Sequence, residues 1–210
     1  MTGLFRPLRP SRGNPSRCQL RVGRCLLGLC VLLMACNKMP PSVYVAQSKL
    51  NGMIVTSVKT VVLPLQNLTG RQDDFTFMDD ILFNRITSGS IFEAIPQGDA
   101  AKVLEGRRAR WFHKIDPETV KDIVKKYGAD FVVAGAVTEI RRESPMALGI
   151  SIRLLDGRTG DILVSVTHSL TERDDETVFG VGRADTMLKL GKRIIDASVA
   201  SMENHFNRRE

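Results

Sequence analysis

Phe131–Ile140 (FVVAGAVTEI), preceded by Tyr127-Gly128-Ala129-Asp130, is the stretch on which the fold depends. It is β-branched and apolar nearly throughout, with Thr138 and Glu139 as its only polar side chains, as expected of a strand covered on both faces near the centre of a sheet. Upstream, Asp116-Pro117 has the chemistry of a helix start, an N-cap acid followed by proline in the first turn. Val120, Ile123, Val124 and Tyr127 then share one helical face, and Gly128 supplies the left-handed residue that closes such a helix. Downstream, Gly149–Leu155 (GISIRLL) alternates and Asp161–Leu170 (DILVSVTHSL) reads as a third strand. Asp156-Gly157-Arg158-Thr159-Gly160 joins those two as a hairpin loop, its glycines free to take positive φ.

Working outward, Val58–Leu65 (VKTVVLPL) is another strand apolar on both faces, with Pro64 at its end where a missing donor costs little. After a polar loop, Met78, Ile81, Leu82 and Ile86 fall at helical spacing, and the helix ends near Ser88-Gly89. Asp73, Asp74, Asp79 and Asp80 crowd its start, where carboxylates complement the helix dipole. Ile91–Ile95 alternates before Pro96, a short strand. Residues 97–115 leave room for a short helix and then carry a basic and aromatic run. A long C-terminal helix spaces Met187, Leu190, Ile194 and Met202 and ends around Phe206. The resulting order, β-α-β-α-β-β-β-α, predicts a single-domain α/β layered sandwich, a mixed sheet with helices packed on it.

The 210 residues carry a formal charge of +7, but Arg6, Arg9, Arg12, Arg17, Arg21 and Arg24 all lie in the first 35 residues, which contain no acid. Without them 24 basic residues face 23 acids, so the basic pI is a property of the N-terminus and argues against a nucleic-acid-binding domain. The four cysteines are Cys18, Cys25, Cys30 and Cys36, which leaves no internal disulfide possible beyond position 36. Cys25–Ala35 (CLLGLCVLLMA) is an apolar run of eleven residues. It is too short for a hydrocarbon core that needs roughly 20 residues of helix, and it matches the apolar segment of a signal peptide.

Leu33-Met34-Ala35-Cys36 resembles the bacterial lipobox: a branched apolar residue, two positions ending in a small one, then cysteine. That resemblance implies a diacylglycerol on the Cys36 thiol, cleavage before Cys36, and acylation of the new amine by a palmitate-like chain. Two or three acyl chains hold a protein on a membrane durably where one does not. Asn37 follows the cysteine; the absence of Asp there points to the outer membrane, with the protein facing the periplasm. Residues 1–35 are then the signal peptide, 36–57 the lipidated cysteine and a tether stiffened at Pro40-Pro41 with room for a short strand near Met53–Ser57, and 58–206 the folded domain.

The motifs of that domain also form a series: Val61-Val62-Leu63-Pro64-Leu65-Gln66-Asn67, Gly128-Ala129-Asp130-Phe131 running into Gly135-Ala136-Val137-Thr138-Glu139, and Arg153-Leu154-Leu155-Asp156 with Thr159-Gly160-Asp161-Ile162-Leu163. They resemble the CsgG-like superfamily of bacterial periplasmic lipoproteins, which includes the curli secretion channel, the flagellar protein FlgO, the LpoB activator of peptidoglycan synthases and the TolB amino-terminal domain. The resemblance covers about residues 58–205 and implies an accessory or assembly component of an envelope machine (secretion, flagellar or polysaccharide export) and no enzyme. It leaves open an LpoB-like synthase activator or a soluble ring-forming secretion collar. The curli channel itself inserts two long hairpins per subunit. Only eight residues run from Arg141 to Leu148, whereas each membrane-spanning strand needs roughly 9–11.

No metal, cofactor or nucleic-acid partner is expected beyond the lipid on Cys36; a periplasmic or outer-membrane protein partner and a homo-oligomer are. His113, His168 and His205 lie in different elements without ligand spacing. Gly180-Val181-Gly182 lacks the strand and third glycine of a phosphate loop. The aspartates at 73, 74, 79 and 80 suit a cation or acid–base pair as well as a solvated helix start, and the helix start explains them without chemistry. The candidate partner-binding residues are Arg107, Arg108, Arg110, Trp111 and Phe112, the composition of interface hot spots and of lipid-headgroup contacts, and equally of an aromatic cap on the core.

Overall fold

The structure, a computed structural model, describes residues 40–46, 58–72, 74–95, 115–177 and 181–206. Along the chain run β1 (Ser42–Val45), β2 (Val58–Val62), β3 (Gln66–Asn67), α1 (Thr76–Thr87), β4 (Phe92–Ile95), α2 (Pro117–Tyr127), β5 (Phe131–Arg141), β6 (Ala147–Asp156), β7 (Ile162–Thr171) and α3 (Met187–Phe206). These strands make one mixed sheet in the order β1-β7-β6-β5-β2-β4, with β3 pairing on β5 beyond the end of β2. The β4, β2, β3 and β5 ladders are parallel, and those of β5, β6, β7 and β1 are antiparallel. The sheet does not close into a barrel.

Both faces of the central strands are apolar because both are covered. Val58 and Val62 of β2 and Phe131, Val133 and Val137 of β5 join a core with Met78, Leu82 and Ile86 of α1 and Leu190, Ile194 and Met202 of α3. The alternate residues Val61, Val132 and Ala134 join a smaller core with Val120 and Ile123 of α2. So α1 and α3 lie on one face and α2 on the other, and the period of two along each strand divides its side chains between them. At the lower end of the larger core Phe206 meets Phe92 and Phe131 at centroid distances of 5.6 and 5.5 Å, the latter edge-on.

The end signals of α2 act as the sequence implies. Asp116 accepts from Thr119 N–H at 2.6 Å, and Gly128 takes φ 63°. Gly160, at φ 78°, lets the β6–β7 loop press against that helix start: a Cβ there would stand 2.5 Å from Pro117 Cα.

The stretch expected to be tether differs. Ser42–Val45 pairs antiparallel with β7, Ser42 opposite Thr167 and Val45 opposite Val164, and Ala46 N–H bonds to Leu163 O at 2.9 Å. Val43 packs on the larger core. Four residues alternating half-buried and exposed carry too weak a pattern to stand out in sequence; the free edge of β7 recruits them. The short strand expected near Met53–Ser57 lies outside the described residues.

Candidate functional site

The two sites read from sequence, the Leu33–Cys36 lipobox and the cluster Arg107, Arg108, Arg110, Trp111 and Phe112, lie outside the described residues, as does His113. What the structure does place is the aspartate group, two histidines, and one buried carboxylate that sequence patterns do not single out.

The aspartates serve the backbone. Asp74 accepts from Thr76 N–H at 3.0 Å and from the Thr76 hydroxyl at 2.8 Å, and those bonds hold its carboxyl below the usual aspartate value. Asp79 turns back from α1 to accept Leu65 N–H at 2.6 Å, tying the helix to the chain just past β2. Burial pushes the Asp79 carboxyl up, against the pull of that bond. Asp73 is outside the described residues, and among those described no three histidine, cysteine or acidic side chains converge on a point that would hold a metal. His168 is buried on β7; His205 on α3 sits with Nδ1 2.7 Å from Ser201 O of its own helix.

That carboxylate is Glu172, one residue past β7 and 1% exposed, more deeply buried than Asp156 of the hairpin loop at 7%. It lies at the sheet end where β5 stops at Arg141, β6 begins at Ala147 and β7 stops at Thr171. Its oxygens accept from Ser144 Oγ at 2.8 Å, Met146 N–H at 3.1 Å and the Arg183 guanidinium at 2.6 Å. Its backbone continues the knot, with Glu172 N–H donating to Met146 O and Ala184 N–H donating to Glu172 O, both at 2.9 Å. The Ser144 and Met146 bonds, helped by Arg183, hold the carboxyl below the usual glutamate value.

A general base works best with a pKa near the working pH, and Glu172 is shifted the other way. Its chemistry is that of a clamp: it joins the β5–β6 turn, the end of β7 and the approach to α3. In sequence it is one acid in Thr171-Glu172-Arg173-Asp174-Asp175-Glu176, and nothing local distinguishes it from its exposed neighbours. Beside it Asp174 accepts from Thr171 N–H and the Thr171 hydroxyl, closing the end of β7.

The geometry defines a class, a mixed seven-stranded sheet with two helices on one face and one on the other. No protein-family model matches the chain, and no curated protein matches it. Solved structures share the fold. The PelC dodecamer from Paraburkholderia phytofirmans is similar at a TM-score of 0.50 and 18% identity, over 81% of this chain and 98% of that one. The hypothetical protein CT253 from Chlamydia trachomatis is similar at 0.52 and 14%, over 72% and 98%. At these identities the likeness shows the fold alone. The LpoB C-terminal domain from Salmonella enterica, at 0.44 and 14% over 59% and 89%, is too distant to carry an argument.

Proposed function

We propose that the chain is an outer-membrane lipoprotein facing the periplasm, a non-enzymatic assembly or accessory component of an envelope machine of the CsgG-like kind, acting by binding a protein partner. The observation that carries this reading is Leu33-Met34-Ala35-Cys36 at the end of an eleven-residue apolar run, six residues before the first strand of the sheet. Two features of the domain support it. Asp74 and Asp79, two of the four aspartates at the start of α1, are engaged by the backbone N–H groups of Thr76 and Leu65. In addition, no helix among the described residues is long and apolar enough to cross a membrane.

The test is membrane fractionation and N-terminal peptide mass for the native chain and for Cys36→Ser. A diacylglyceryl mass on Cys36, with the variant lost from membranes, is expected; an unmodified Cys36 in a membrane-bound native chain overturns the reading. Partner binding at Arg110 and Trp111 is tested by Ala substitution. Loss of partner capture with an unchanged Tm supports the contact surface, and a large fall in Tm makes Trp111 part of the core instead.

A second reading, the soluble ring-forming collar, is favoured by one observation: the similar PelC structure is a dodecamer. Sedimentation of residues 37–210 without lipid tests it, and a monomer at high concentration overturns it.

A further inference from the structure

The position of β1 constrains where the membrane lies. Ser42 is already level with Thr167, inside the sheet. If Cys36 carries the lipid, as proposed above, six residue steps separate the anchor from that strand, a reach of about 20 Å at full extension. From Thr167 to the end of β7 at Thr171 the sheet itself runs on for about 13 Å. The bilayer surface therefore lies close to the corner of the sheet made by edge strand β1 and the Thr171 end.

What this corner exposes fits such a position. The large hydrophobic side chains exposed among the described residues are Tyr44, Val181 and Leu188, at 61%, 68% and 59%. Tyr44 is on β1 itself. Val181 is in the turn that leads from β7 to α3, where its carbonyl accepts Thr177 N–H, and Leu188 is in the first turn of α3, which packs over β7, β6 and β1. Val181 and Leu188 belong to that corner; Tyr44, next to the core-facing Val43 and level with Ser165, lies on the other face of the sheet, and the opposite edge strand, β4, presents Glu93 outward. Charge does not favour the contact, because between Thr171 and Lys189 five acids (Glu172, Asp174, Asp175, Glu176 and Asp185) outnumber three cations (Arg173, Arg183 and Lys189). Tether length and apolar exposure favour it. Two exposed aliphatic side chains on one corner suit the headgroup boundary, where short apolar groups leave water without entering the hydrocarbon deeply.

We propose that this corner rests on the lipid headgroups, with Val181 and Leu188 in contact with the bilayer, so that the protein is held close against the membrane in one orientation. The inference rests on lipidation at Cys36. Its test uses the full chain, processed in a bacterial host and reconstituted into phosphatidylethanolamine–phosphatidylglycerol vesicles containing a headgroup nitroxide lipid. With the signal removed and Cys36 lipidated, a fluorophore on Leu188→Cys, Val181→Cys or Glu93→Cys has no competing thiol. The labels at 188 and 181 are expected to lose most of their emission and the label at 93 little. Equal quenching at the two edges, or stronger quenching at 93, overturns the proposal. The intact mass of the same vesicle-bound protein separates the two failures. A missing lipid mass removes the lipoprotein reading and this inference together; a lipidated protein with a bright label at 188 removes this inference alone.

Discussion

At the scale of single residues, Glu172 behaves oppositely to Asp79. The bonds from Ser144 and Met146 lower the Glu172 carboxyl, so the unfolded chain takes up that proton first as the pH falls. The stability it contributes is complete above the unfolded glutamate value, about 4.3, and is lost as the pH drops through and below it. Glu172→Gln is expected to lower Tm at neutral pH, where Arg183 loses its charged partner, and to flatten the acid side of the Tm-against-pH curve. An unchanged curve would show that the clamp adds nothing. Asp79, raised by burial, contributes with the reverse sign: the folded state takes its proton first. At Gly160, Ala is expected to destabilise by more than the roughly 1–2 kcal/mol a side chain costs in the left-handed conformation, since Pro117 backbone also stands in the way of the new Cβ. Asp116→Ala is expected to cost about 1 kcal/mol by removing the N-cap acceptor of Thr119 N–H in the first turn of α2. Urea denaturation measures both.

At the scale of elements, the last turns of the C-terminal helix close one end of the larger core. Arg85 of α1 donates two bonds to Glu203 of α3, at 3.2 and 2.8 Å, side to side across the helix pair. That pair is only partly buried and its contribution is small. Phe206 contributes more: 8% exposed, it fills the space between Phe92 and Phe131. Phe206→Ala is expected to cost about 3–5 kcal/mol, the range for removing a packed phenylalanine from a core that closes only partly. A shift in denaturation midpoint below 1 M urea would be too small for that loss, given the usual slope of about 1–3 kcal/mol per M. The elements readable in sequence are those with a strong period and end signals: α2 between Asp116 and Gly128, and β5 to β7 with their glycine turn. The two-residue β3 and four-residue β1 are too short to carry a period.

At the scale of the whole molecule, the antiparallel half of the sheet leaves no room for membrane hairpins at its described turns. Arg141 and Ala147 are joined by five residues, 142–146, where a spanning pair needs two strands of roughly 9–11. If Cys36 carries the lipid, as proposed, the six residue steps to β1 keep the domain near the bilayer, whereas the tether expected from sequence, running through residue 57, would let it stand well away. The sequence by itself determined what depends on neighbours a few residues apart: helix faces, caps, strand alternation, turns, the mixed sheet under helices, and the charge division that isolates the arginine-rich N-terminus. That Ser42–Val45 joins β7, that Asp79 bonds Leu65, and that Glu172 is buried while Asp174 beside it is exposed emerge from the folded chain. Each of these depends on a partner that is distant along the chain or on withdrawal from water, and neither leaves a trace in local spacing.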